Sequence, residues 1–103
     1  MNYKKVGNFI KDIRKSKGLS IKQVAEKTRF TKEYLSEVEK GQKYPFKPEL
    51  GKIAKALDTP LSIILFIGAE KSEIAKEMLK IWETLSPELQ KFTMKVFTGK
   101  LEK

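Results

Sequence analysis

An all-α fold follows from three features of the sequence. The stretch Ser20 to Gly41, SIKQVAEKTRFTKEYLSEVEKG, reads as two short amphipathic helices broken by a tight turn. On either side of it apolar residues recur at three- and four-residue steps, the spacing that gathers them on one face of a helix. Residues suited to capping stand where these patterns start and stop. The result is a five-helix unit in residues 1–69 followed by two additional amphipathic helices in residues 70–103.

Taken in order, the first helix is predicted over Gly7 to Lys17, with Phe9, Ile10 and Ile13 inward, Lys11, Asp12, Lys15 and Lys17 in water, and Gly18 as its stop. The second begins after Ser20, whose hydroxyl can take the backbone N–H of Gln23 while the Gln23 side chain reaches back, a capping box. Ile21, Val24 and Ala25 form its apolar face. Thr31 is a cap for the third helix, in which Leu35 and Val38 continue the stripe until Gly41 ends it with a positive φ. Only Thr28-Arg29-Phe30 joins these two helices, a link so short that they must cross steeply, as in a helix-turn-helix.

After the polar, basic loop Gln42-Lys43-Tyr44-Pro45, Pro48 opens a fourth helix with Leu50, Ile53, Ala54 and Leu57 buried. Asp58 to Pro60 breaks it. Thr59 is expected to cap a fifth helix that has Pro60 at its first position, buries Leu61, Ile64 and Leu65, and leaves Ile63, Phe66 and Ile67 over. Such leftovers require a cover, from the carboxy-terminal segment or from a second subunit. Ile74, Met78, Ile81, Trp82 and Leu85 mark a sixth helix, and Ser86-Pro87-Glu88 opens a seventh with Leu89, Phe92, Val96 and Phe97 along one side. Their stripes either fold back on the same subunit or build a dimer interface, for which Phe66, Ile67, Ile74, Met78, Ile81, Trp82, Leu89, Phe92, Val96 and Phe97 are the candidates.

Several pieces, in order and spacing, carry a family likeness: Ile13-Arg14, Gly18-Leu19-Ser20, Val24-Ala25-Glu26-Lys27, Tyr34 through Gly41, Pro45, and Ile53-Ala54-Lys55-Ala56-Leu57. Across Val6 to Phe66 the chain resembles the Cro/C1-type (Xre-like) helix-turn-helix DNA-binding regulators of bacteria and their phages. The resemblance implies a lambda-repressor-like domain, a cytoplasmic protein and a double-stranded DNA operator as partner. It also implies a salt bridge between Arg14 and Glu39 that fixes the first helix on the third. Two positions depart from the family pattern. Arg29 stands where the turn usually has Gly, and a non-Gly residue in the left-handed region costs roughly 1–2 kcal/mol. Ile21 stands where a phosphate-touching Gln is common.

With the third helix in a major groove, its amino end and the next turn would face the bases. By resemblance these are Lys32, Glu33 and Glu37, with Ser36 or Tyr34 beside them. Lys donates to guanine O6 and N7, and Glu accepts from the cytosine amino group. Backbone contacts would come from Ser20, Gln23, Thr31, Tyr34, Lys40, Gln42, Lys43 and Tyr44, since helix amino ends and basic loops suit phosphate.

Composition agrees with this and excludes much else. The net charge is +9, and it is concentrated: residues 1–69 hold 15 basic and 7 acidic side chains, residues 70–103 hold 7 and 6. Such a field draws polyanions. With no cysteine and no histidine, thiolate zinc sites and imidazole or Ser–His catalysis are ruled out by residue type. Carboxylates, Lys and Tyr remain without a paired catalytic constellation, so no enzyme, cofactor or metal is expected. The amino terminus lacks the apolar core of a signal peptide, and the longest apolar run, residues 63–69, is far below the about 20 residues of a membrane span. Two functions remain. One is a dimeric transcriptional regulator, most simply a repressor. The other is an antitoxin or similar protein-interaction module whose last two helices bind a heterologous protein.

Overall fold

The computed structural model describes the backbone of residues 1–98 and, within it, the side chains of residues 1–71 and 73–92. It is helical throughout: α1 (Tyr3–Ser16), α2 (Ile21–Thr28), α3 (Lys32–Glu39), α4 (Lys47–Ala56), α5 (Leu61–Gly68), α6 (Ser72–Thr84) and α7 (Pro87–Thr98). The all-α class and the order of elements are those predicted.

One core joins the first five helices. Val6, Ile10 and Ile13 from α1 meet Val24 and Ala25 from α2, Leu35 and Val38 from α3, Leu50, Ile53 and Ala54 from α4 with Leu57 behind it, and Ile64 from α5. The approach of α1 to α3 depends on Gly7, where a Cβ would run into the carbonyl oxygens of Val38 and Glu39. α1 begins earlier than expected. Asn2 caps it by accepting from the Lys5 N–H at 3.1 Å, which brings Val6 into the core.

The fifth helix and its cover also differ from expectation. Thr59 does not cap α5: its hydroxyl, buried with the rest of the side chain, donates to the Leu57 carbonyl at 3.2 Å, and Pro60 occupies the cap position. Ile63 and Ile67 are not left over, because α6 lays Ala75, Met78 and Leu79 across them with Phe9 of α1 at the edge. The face that α6 packs inward is Ala75, Met78, Leu79 and Trp82: Met78 and Trp82 belong to the predicted stripe, whereas Ile74 and Ile81 are exposed and Ala75 and Leu79 take their place. Trp82 closes it, donating its indole N–H to the Asp58 carbonyl at 3.2 Å. Gln90 of α7 in turn donates to the Trp82 carbonyl at 2.9 Å, and the Ser86 hydroxyl accepts from the Leu89 N–H at 3.3 Å, the predicted cap of α7.

Candidate nucleic-acid interface

The turn between α2 and α3 forms as the local sequence dictates. The Ser20 hydroxyl accepts from the Gln23 N–H at 3.1 Å, and Gln23 Oε1 accepts from the Ser20 N–H at 2.7 Å, completing the capping box. Arg29 ends α2 with φ 65° and ψ 18°, a left-handed conformation in the place where the family prefers Gly. Thr28 braces the strained residue: its hydroxyl donates to the Val24 carbonyl at 2.8 Å and accepts from the Phe30 N–H at 3.2 Å. Thr31 then caps α3 by accepting from the Tyr34 N–H at 3.0 Å.

The far end of α3 is fixed just as firmly. Gly41, at φ 75°, donates to the Val38 carbonyl, and the Gln42 N–H reaches the Glu37 carbonyl at 2.8 Å, the paired bonds of a Schellman stop. A Cβ at Gly41 would stand 2.9 Å from Lys4 Cα, so both the φ and the close approach require glycine. The expected Arg14–Glu39 pair is present and bidentate: Nε to Oε2 at 2.6 Å and Nη2 to Oε1 at 3.1 Å, both residues buried. Arg14 Nη1 also donates to the Leu19 carbonyl at 2.8 Å, a bond with no counterpart in the sequence reading. One guanidinium thus ties α1, the loop before α2, and the end of α3. It sets the angle at which α3 is presented.

Lys32, Glu33, Ser36 and Glu37 lie together on the outer side of α3, where with Ile21 they line an open, shallow depression. Lys32 and Glu33 are exposed, Ser36 and Glu37 half-buried. The four residues expected to face the bases therefore form one continuous surface. The sequence puts Ile21 on the apolar face of α2 and in place of a phosphate-touching Gln; the structure leaves it only half-buried, and that it also walls this depression is a tertiary fact.

The expected backbone contacts flank that surface. Ser20 and Gln23 are exposed at the start of α2, Thr31 at the start of α3, and Lys40, Gln42, Lys43 and Tyr44 beyond its end. Tyr44 rests on Tyr3, ring centroids 4.8 Å apart. Tyr34 sits apart from the depression, in a cleft shared with Phe30, Lys43, Tyr44, Phe46 and Glu49, its ring edge-on to Phe30 at 5.0 Å. Burial, and secondarily the Glu49 carboxylate, push the Tyr34 phenol above its ordinary value, so it stays a protonated donor through the neutral range.

Of the dimer candidates, Ile67 and Trp82 are buried inside the subunit, at 6% and 5% exposure, and Phe66 and Met78 are half-buried. Ile74, Ile81, Leu89 and Phe92 are between 52% and 61% exposed. The side chains of Val96 and Phe97 lie outside the described residues. Among the described residues no acidic or imidazole cluster could hold a metal, and no helix is long and apolar enough to cross a membrane.

Two capped helices on a short left-handed turn, with the second presenting a polar face between capped helix ends and a basic loop, define a helix-turn-helix module. Residues 10–64, more than half of the chain, match the family model described as helix-turn-helix, and the protein belongs to that family in its Cro/C1 (Xre-like) form. The transcriptional regulator ClgR of Mycobacterium tuberculosis is 36% identical over 66 residues, which are 64% of this chain and 59% of ClgR. An uncharacterized HTH-type transcriptional regulator of the same organism is 36% identical over 58 residues, 56% of this chain and 41% of that protein. The chain thus spans about three fifths or less of the curated relatives it matches. The crystal structure of the clp gene regulator ClgR from C. glutamicum superposes with a TM-score of 0.63 at 26% identity, covering 70% of this chain and 94% of that one.

Proposed function

We propose that this protein is a sequence-specific, double-stranded DNA-binding transcriptional regulator. It acts as a homodimeric repressor that places α3 of each subunit in the major groove of a two-fold symmetric operator. The observation that carries the reading is the shared open face of Lys32, Glu33, Ser36 and Glu37 on a helix fixed at both ends. Lys32 supplies the donor for guanine, and Glu33 and Glu37 supply acceptors for cytosine amino groups. The carboxylates would repel phosphate, which assigns them to base edges. Ser20, Gln23, Thr31, Tyr34, Lys40, Gln42, Lys43 and Tyr44 hold the backbone on either side.

Residues 1–69 act as the DNA-binding domain and residues 70–103 as the dimerisation extension of a cytoplasmic protein. Ile74, Ile81 and Phe92, each more than half exposed on α6 and α7, are the apolar surface that a second subunit covers. Half-sites then lie roughly 34–36 Å apart, one turn of DNA. The same surface also supports a competing reading, capture of a heterologous protein with DNA binding secondary.

Fluorescence anisotropy on the DNA upstream of the protein's own gene, beside a scrambled duplex, at about 50 and 200 mM salt, tests the first reading. Preference for the native fragment at both salts, with two chains bound per site, supports it. Equal binding that collapses with salt contradicts it, and a protein that light scattering finds monomeric favours the heterologous partner.

A further inference from the structure

The depression on α3 has four polar walls and one apolar wall. Lys32, Glu33, Ser36 and Glu37 offer donors and acceptors, and Ile21 offers neither. Ile21 is the first residue of α2, held in place by the Ser20–Gln23 capping box. It is half-buried, packs against the main core and also lines the depression. An aliphatic group left at the mouth of a charged surface gains nothing from water and nothing from its polar neighbours. Of the groups that base pairs display in the major groove, the thymine 5-methyl is the apolar one. Ile21 shares the depression with the four α3 residues assigned to base edges, next to Ser20 on the backbone side, so the base edges nearest the backbone are what it meets.

We infer that Ile21 is a specificity-determining residue that reads a thymine methyl in each half-site, next to the base pairs read by α3. This rests on the DNA-reading role given to α3 above. It extends that role to a residue on the other helix of the pair. The position that loses a phosphate contact by not being Gln gains sequence discrimination instead.

The test starts from duplexes enriched from a random-sequence pool by the full chain. In the best site each thymine is replaced in turn by deoxyuridine, which pairs identically and lacks only the methyl. Affinities are compared for the wild type, Ile21→Val, Ile21→Ala and Ile21→Gln. The ratio of thymine to deoxyuridine affinity is taken within each variant, so a partly misfolded sample does not change it.

At one thymine per half-site the wild type should bind about fourfold more weakly without the methyl, the worth of burying one carbon. Ile21→Val should keep most of that ratio, and Ile21→Ala and Ile21→Gln should bring it to one. A wild type indifferent to every methyl, or an Ile21→Ala variant that keeps the ratio, overturns the inference while leaving the role of α3 standing. A pool that yields no enriched sequence overturns both.

Discussion

Breaking the Arg14–Glu39 pair should cost far more than an ordinary surface ion pair, because both partners are desolvated. The side chains are 10% and 7% exposed, and the two bonds between them leave few alternatives in water. Glu39→Ala leaves the guanidinium buried with only the Leu19 carbonyl as acceptor; Arg14→Met strands a carboxylate and that carbonyl together. Uncompensated buried charge of this kind costs about 3–5 kcal/mol, a large part of the roughly 5–15 kcal/mol that holds a small domain together. Arg14→Met should be the worse of the two, since it orphans two acceptors. Replacing both, as Arg14→Met with Glu39→Leu, removes the charges and should cost less than either single change. Urea unfolding followed by far-UV circular dichroism, with unchanged slope between variants, provides the comparison. Single variants within about 1 kcal/mol of the wild type, the range of an exposed pair such as Lys80–Glu77, would refute the reasoning.

Four further outcomes follow. Arg29→Gly relieves a left-handed residue worth roughly 1–2 kcal/mol but loosens the unfolded chain by about 0.5–1 kcal/mol, so the melting temperature should rise slightly and must not fall. Trp82→Phe keeps most of the buried ring and loses the bond to the Asp58 carbonyl, which water can reach; it should destabilise by about 0.5–1.5 kcal/mol in urea, the net worth of one hydrogen bond. Tyr34 has its folded pKa raised above the unfolded value, so its contribution is full below about pH 10 and is lost as pH climbs through the folded value. Tyr34→Phe should accordingly flatten the alkaline fall in stability measured from pH 9 to 11.5. Ile81→Asp puts a charge on the exposed face of α6 away from the core; light scattering should show a monomer with an unchanged circular dichroism spectrum.

How much of this was legible in the sequence depended on whether the deciding contact is local. The Ser20–Gln23 box, the Thr31 cap and the Gly41 stop involve residues within a turn of one another, and each forms as read. The Asn2 cap is not legible in the sequence because the first turn of α1, Tyr3-Lys4-Lys5, has no apolar period to announce a helix. Thr59 has the chemistry of a cap, but the Leu57 carbonyl competes for its hydroxyl within the same turn, and spacing alone could not decide between them.

The α6 stripe shows the limit more clearly. Ile74 and Ile81 stand one residue from Ala75 and Trp82, about 100° apart around the helix, so the sequence offers two adjacent faces. Hydrophobicity favours the isoleucines, yet Ala75 is the fully buried residue, where a small side chain lets α6 come close to Ile63 and Ile67. The candidate interface divides in the same way: the residues of the α3 face are those the family resemblance implies, whereas the wall that Ile21 adds comes from the packing of α2 on α3.

The role of α3 is tested most directly by the base preference of Lys32→Ala, measured on every single-base variant of an enriched site beside Lys43→Ala. Lys32→Ala should lose discrimination at one guanine, worth about 1–3 kcal/mol. Lys43→Ala should weaken all duplexes alike and lower the salt slope by about one unit. Uniform loss on every duplex for Lys32→Ala would contradict the reading of bases by this helix.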